Sequence, residues 1–202
     1  VMVNTSQNFT HELNSVFFDE MKIRKPDYDM KVNTKEYAKE VADVIIKAEK
    51  LLKKEKPDIL LILGDTNSGL SAIPAAYQGI KIAHLEAGMR SYDPRMPEEK
   101  NRVMIDHLST VLLPYTHYSR DNLIRENIHP SKIYVVGNPI IEVIQHYLPK
   151  IEKSRILESL KLKKNDYFLV TAHRAENVDN KSSLRNIFLG LEKVSKTFRK
   201  KI

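Results

Sequence analysis

The strongest constraint in this sequence is a recurring order of segments: a short β-branched or aliphatic run, a polar turn, then an amphipathic helix. That alternation calls for parallel strands joined by helices that cover the sheet. The spacing predicts strands at 58–63, 81–85, 110–113, 132–136 and 167–171, after a strand tail at 1–4. Helices are expected from about 10 to 21, from Asn33 to Lys56-Pro57, and over 67–78, 97–109, 116–126, 140–147, 151–160 and 182–200. The run at 58–63 lacks polar alternation, so it reads as a buried central strand. Asn33, with Glu36 three residues on, forms a capping box, and Tyr37, Val41, Val44, Ile45, Ala48 and Leu52 supply the apolar stripe of the helix that follows. Pro74 is expected to kink or shorten its helix, because it removes a backbone donor and crowds the preceding turn.

Domain organisation follows from where this rhythm fails. Between 140 and 160 two helices succeed one another without a strand, which marks a domain crossing. We expect a first sheet domain at 1–148, crossing helices at 149–164, and the start of a second sheet domain at 165–202. One strand and one helix cannot bury a core alone. A chain that opens on strand residues is also expected to lack an earlier β/α unit. At about 150 residues per domain, the 202 residues make one domain and a fraction.

Composition removes several chemistries. Cysteine is absent, so disulfides, thiolate metal sites and cysteine nucleophiles are excluded from this chain. No Cys/His spacing suggests a metal, and no GxxxxGK suggests a P-loop. GxGxxG is absent too, a weaker exclusion, since its place is the first β/α turn, expected ahead of Val1. The longest aliphatic run, at 59–63, is too short for a bilayer, and the basic start has no apolar signal core, so a cytoplasmic chain without membrane contact is expected. Lys and Arg total 33 against 26 Asp and Glu, a formal charge of +7. The excess sits in Lys-rich helical stretches mixed with acids, which reads as solvated helix faces rather than a nucleic-acid patch.

In open parallel sheets, ligands bind beyond the carboxyl ends of the strands, and polar side chains concentrate there in this sequence. Gly64-Asp65-Thr66-Asn67-Ser68 follows the 59–63 run; Gly64 permits close approach, and Asp65 is either a site carboxylate or a helix cap. His84-Leu85-Glu86-Ala87-Gly88-Met89-Arg90 brings an acid and a base to the same rim, where a structural ion pair is the plain alternative. In Arg95-Met96-Pro97-Glu98-Glu99-Lys100-Asn101-Arg102, Pro97 suits the first helical position and the acids complement the helix dipole. Glu98 and Arg102 stand at i,i+4, for which a surface pair is the default. Thr171-Ala172-His173-Arg174-Ala175-Glu176-Asn177 ends the last strand, and its lone His can serve as a cap. Taken together, carboxylates at the strand ends of one domain and a His-Arg pair at that of another suit acid–base work on an anionic, phosphate-bearing substrate in the cleft between them. Neighbouring carboxylates raise one another's pKa, while Arg and helix N-termini hold phosphate.

The ordered set Gly64-Asp65-Thr66, His84 to Arg90, Pro97-Glu98-Glu99 with Asn101-Arg102, Gly137-Asn138-Pro139 and His173-Arg174-Ala175-Glu176-Asn177 resembles the non-hydrolysing UDP-N-acetylglucosamine 2-epimerases. The resemblance implies an α/β, GT-B-like architecture: a Rossmann-like parallel-sheet domain plus the beginning of a second Rossmann-like domain, with a nucleotide sugar between them. It implies interconversion of UDP-GlcNAc and UDP-ManNAc for surface polysaccharides, through elimination of UDP to a 2-acetamidoglucal and its re-addition, with neither NAD nor metal, in a homodimer. Carried over by motif, the acid–base residues fall on Asp65, Glu86, Glu98 and His173, and the substrate-binding residues on Gln7, Arg90, Arg102, Asn138, Arg174 and Glu176. The sequence departs from the family at Asn8 and Phe9, where many members have His-Arg, a region linked in some of them to activation by substrate. It departs again at Ala175, where an Arg is common, and at Met89, where Leu is frequent. A GT-B glycosyltransferase or a hydrolysing epimerase that releases ManNAc would share the fold. A non-catalytic binding module is the remaining alternative, although the basic residues are not interleaved with aromatics as nucleic-acid stacking requires.

Overall fold

The computed structural model of the chain describes residues 1–5, 15–32, 36–172 and 175–202. Its contacts divide it into two compact units, Val1–Pro139 and Ile140–Ile202. The first contains strands β1 (Val3–Asn4), β2 (Tyr28–Asp29), β3 (Ile59–Leu63), β4 (Lys81–Leu85) and β5 (Val111–Leu113). Between them run helices α1 (Ser15–Met21), α2 (Tyr37–Glu55), α3 (Ala72–Tyr77), α4 (Pro97–Leu108) and α5 (His117–Arg125). Every strand pair is parallel, β1 with β2 in one sheet and β3-β4-β5 in another, as the alternation requires. β2 was not expected, because Lys25-Pro26-Asp27 reads as turn chemistry and the strand is only two residues long.

Register decides where a site can form. Leu63 stands opposite Leu85, and Leu85 opposite Leu113, so β3, β4 and β5 finish level and the chain leaves all three on one side. Behind that rim, Leu52, Ile62, Ala72, Ala75, Ile82 and Ile105 form one core cluster, and Ala87, Leu112, Leu123, Ile128 and Ile133 another. At about 25 cal/mol per Å² of apolar surface removed from water, these clusters are the main hold on the sheet's position against α2, α3, α4 and α5.

Local structure follows the sequence with four exceptions. Ahead of α3, a 3-10 turn at Asn67–Ser71 takes the place of the expected first helical turn, while α3, which contains Pro74, has only six residues, the shortening expected of that proline. β3 is not buried on both faces: Ile62 is 6% exposed, but Ile59, Leu61 and Leu63 are 47%, 63% and 61% exposed. Among the described residues β3 pairs only with β4 and β1 only with β2, and both strands line an apolar groove of about 460 Å3 with Met30, Leu51 and Leu52. The expected strands at 132–136 and 167–171 are reduced to single bridges, Leu112 to Ile133 and Tyr167 to Lys201. Instead of two helices parted near Pro149, α6 (Ile140–Glu152) continues through that residue.

The second unit also holds α7 (Ile156–Ser159), α8 (Ala175–Val178) and α9 (Lys181–Phe198), whose start is capped by Asn180 accepting from the Ser182 and Ser183 amides. None of its described residues is buried. The expected Asn33 cap and most of the first expected helix lie outside the described residues. Among the described residues, no helix is long and apolar enough to cross a membrane.

Candidate active site

The site is built where β3, β4 and β5 end. Gly64 turns the chain with φ +77 while its amide still donates to the Leu85 carbonyl, and this delivers Asp65 to the rim. Glu86 follows β4 with φ +80, an uncommon conformation for a residue with a Cβ, and its amide donates to the Leu113 carbonyl. Such backbone strain persists only where surrounding contacts over-determine it, and it gathers at functional sites. Tyr115, two residues beyond β5, stands near enough to the Glu86 carboxylate to bear on its protonation.

From the opposite side, α4 contributes its first turns. Arg102 donates Nε to Asp65 Oδ2 at 2.7 Å and places Nη2 at 2.5 Å from the same oxygen. Its Nη1 meets Glu99 Oε2 at 3.0 Å. The expected Glu98–Arg102 pair is therefore replaced by Glu99–Arg102, three residues apart. Asn101, almost fully buried, donates to the Asp65 carbonyl at 2.9 Å and pins the backbone beside the carboxylate.

The electrostatics separate these acids. Burial pushes the Glu86 carboxyl up, and the charge of Asp65 pushes it further, against the opposing pull of Arg102, Tyr115 and His84. Glu86 is thereby biased toward its protonated form, the direction that a general acid uses. Burial also works to raise Glu99, but the Ser91 and Tyr92 amides, the Ser91 hydroxyl and Arg102 outweigh it and hold Glu99 below the usual glutamate range. Glu99 thus organises the 91–92 loop, which its two backbone acceptor contacts at 2.9 and 3.0 Å fasten to α4. The Tyr115 hydroxyl is itself raised, by burial and then by Glu86.

The residues expected from sequence therefore divide. Asp65, Glu86 and Arg102 are brought together. Glu98, half-buried, stands on the first turn of the same helix α4. The Arg90 side chain is buried and spends its guanidinium on the protein: Nη2 lies 2.8 Å from Asp106 Oδ2, and Nε and Nη2 each donate to Glu126 at 2.7 Å. Burial opposes its charge, yet Glu126 and Asp106 prevail and raise it above the usual arginine range. Neither partner is Glu86, the structural pair that adjacency in sequence would suggest. Asn138 is exposed. Gln7, His173 and Arg174 lie outside the described residues, as does the side chain of Glu176. Sequence reasoning missed Tyr115 and Glu99; Glu99 could have been found from its i,i+3 spacing to Arg102.

A parallel α/β unit with carboxylates and an arginine converging at its strand ends is a Rossmann-like, GT-B-like fold with a candidate acid–base site. Residues 1–202 match the sequence profile of the family described as UDP-N-acetylglucosamine 2-epimerase, and the chain belongs to that family. The UDP-N-acetylglucosamine 2-epimerase of Methanocaldococcus jannaschii is 39% identical over 205 residues, covering 100% of this chain and 56% of the relative. The solved structure of that organism's UDP-GlcNAc 2-epimerase in complex with UDP-GlcNAc and UDP superposes with a TM-score of 0.91 at 38% identity, over 98% of this chain and 55% of that one. The Rickettsia bellii UDP-N-acetylglucosamine 2-epimerase structure gives a TM-score of 0.89 at 43% identity, over 98% of this chain and 52% of that one. The chain spans about half the length of the curated relatives it matches.

Proposed function

We propose that this chain carries the acid–base side of an enzyme that inverts C2 of a UDP-2-acetamido sugar, converting UDP-GlcNAc to UDP-ManNAc. The observation that carries the reading is Glu86, held above the ordinary glutamate range by burial and by the charge of Asp65. The hydrogen on C2 of the sugar is not acidic, so inversion is best reached by elimination. One carboxylate takes the C2 proton while the C1–oxygen bond breaks, UDP leaves with the bonding pair, and a C1–C2 double bond forms. UDP then re-adds at C1 as a proton reaches C2 from the other face. Two faces call for more than one proton-transfer group, and Asp65, Glu86 and Glu98 supply them, with His173 and Arg174 assigned to the charge on departing UDP. Gln7, Arg90, Arg102, Asn138 and Glu176 are assigned to substrate binding, Arg90 by fixing the Glu86 loop rather than by contact. A cytoplasmic homodimer serving surface polysaccharide synthesis, with the domain limits 1–148, 149–164 and 165–202, completes the proposal.

The test is incubation of a protein of the relatives' full length, carrying this chain, with UDP-GlcNAc in D2O. Solvent deuterium at C2 of a UDP-sugar product is expected, and Glu86→Gln is expected to abolish it. Free ManNAc with released UDP identifies a hydrolysing epimerase, and sugar transfer without C2 exchange identifies a glycosyltransferase; either overturns the proposal.

A further inference from the structure

Behind the acidic rim lies a buried ion cluster that the proposed proton transfers do not use. His84, on β4, is fully buried, and both of its ring nitrogens meet oxygen. Nδ1 lies 2.7 Å from Asp106 Oδ1, and Nε2 lies 2.9 Å from the Gly64 carbonyl. A carbonyl oxygen only accepts. Asp106 already receives the Gly88 amide at 3.1 Å and Arg90 Nη2 at 2.8 Å on its other oxygen, so it faces His84 too as an acceptor. A neutral imidazole has one donor and one acceptor nitrogen and cannot satisfy both contacts. A hydrogen on each nitrogen satisfies both contacts, beside the Arg90 guanidinium that joins Asp106 to Glu126.

The cluster touches the backbone of both site loops. The Gly64 carbonyl belongs to the peptide that leads into Asp65, and the Gly88 amide lies two residues past Glu86. Both loops pass through left-handed conformations, φ +77 at Gly64, +80 at Glu86 and +74 at Gly88, which local sequence alone holds weakly. We propose that His84 is a positioning residue: a two-donor bridge that joins the Gly64 carbonyl to Asp106 and so locks the Asp65 and Glu86 loops at one separation. Its consequence for turnover rests on the functional reading above, whereas the bridge itself does not. The mutual repulsion of two carboxylates depends on their distance, so a bridge that sets the distance also sets how strongly Asp65 acts on Glu86.

Two measurements test this. Nitrogen-15 imidazole correlations on this chain at neutral pH are expected to show hydrogen on both His84 nitrogens; one bare nitrogen overturns the bridge. In a full-length protein carrying the chain, His84→Gln and His84→Asn each retain an amide donor for only one of the two acceptors. Both are expected to lower kcat on the order of 10- to 100-fold, the usual effect of a displaced reacting group, with KM changed less than about twofold. Unchanged kcat, or a loss explained wholly by the unfolded fraction, overturns the positioning role. If the parent protein does not epimerise, the functional reading fails, and the nitrogen spectra still decide the bridge.

Discussion

Replacing Gly88 by Ala probes the packing that seats the Glu86 loop on α5. A Cβ at this position would stand 2.2 Å from the Ser119 carbonyl oxygen, 2.9 Å from its carbon and 2.8 Å from Leu123 Cγ. Non-bonded carbons prefer about 3.5–4.0 Å, so α5 would have to withdraw by about 1 Å. Overpacking of that kind costs about 1–3 kcal/mol. The left-handed φ of +74 adds about 1–2 kcal/mol for a residue with a Cβ. Withdrawal also stretches the 3.0 Å bond from Asn122 Nδ2 to the Gly88 carbonyl, a loss of about 1 kcal/mol. The sum, about 3–6 kcal/mol, is a large part of the roughly 5–15 kcal/mol by which a domain is stable. Gly79→Ala is the control: Gly79 has φ +71, and a methyl group there would meet nothing within 4 Å, leaving only the backbone cost. Urea denaturation followed by circular dichroism is expected to separate the two variants by at least about 2 kcal/mol at equal m-value. A Gly88→Ala protein as stable as Gly79→Ala would refute the reasoning.

Two further predictions concern the acids. Because the folded-state pKa of Glu86 is raised, the native chain binds the extra proton between the unfolded and folded values, and stability falls as pH rises through that interval. Glu86→Gln is therefore expected to melt at a higher temperature than the parent near neutral pH and at the same temperature below about pH 4, near the ordinary glutamate value; a lower melting temperature at neutral pH would contradict this. Glu99 has the opposite sign: its depressed pKa gives stability that is present above the unfolded value and lost as pH falls through the folded one. Glu99→Gln should speed amide hydrogen exchange at Ser91 and Tyr92 and flatten the acid limb of the stability curve; unchanged protection at both amides would count against Glu99 as the loop's anchor.

The α/β class, the all-parallel pairing and the position of the acidic motifs at strand ends were legible from the sequence because they rest on local periodicity. Hydrophobic spacing over a few residues distinguishes strand from helix, and strand–helix–strand alternation leaves parallel pairing as the simple solution. Pro97 at the first position of α4 was readable for the same reason, since it acts on its own helix. The two-residue β2 was not readable, because only its pairing with β1 makes it a strand. The expected strands around Ile133 and Tyr167 failed the other way: each keeps good strand residues but pairs through a single bridge, Ile133 to Leu112 of β5 and Tyr167 to Lys201.

What the sequence determined by itself was an inventory: three acidic motifs, an arginine, and the strand ends that carry them. The tertiary structure decided which members of the inventory meet. Glu99 rather than Glu98 faces Arg102, Arg90 turns from the rim to Asp106 and Glu126, and Tyr115 arrives from β5 to bear on Glu86. Each of these outcomes depends on helix phase or on contacts between residues far apart in the chain. Periodicity names the face a residue occupies, but a charge takes its partner and its pKa from whatever the fold brings within a few ångströms.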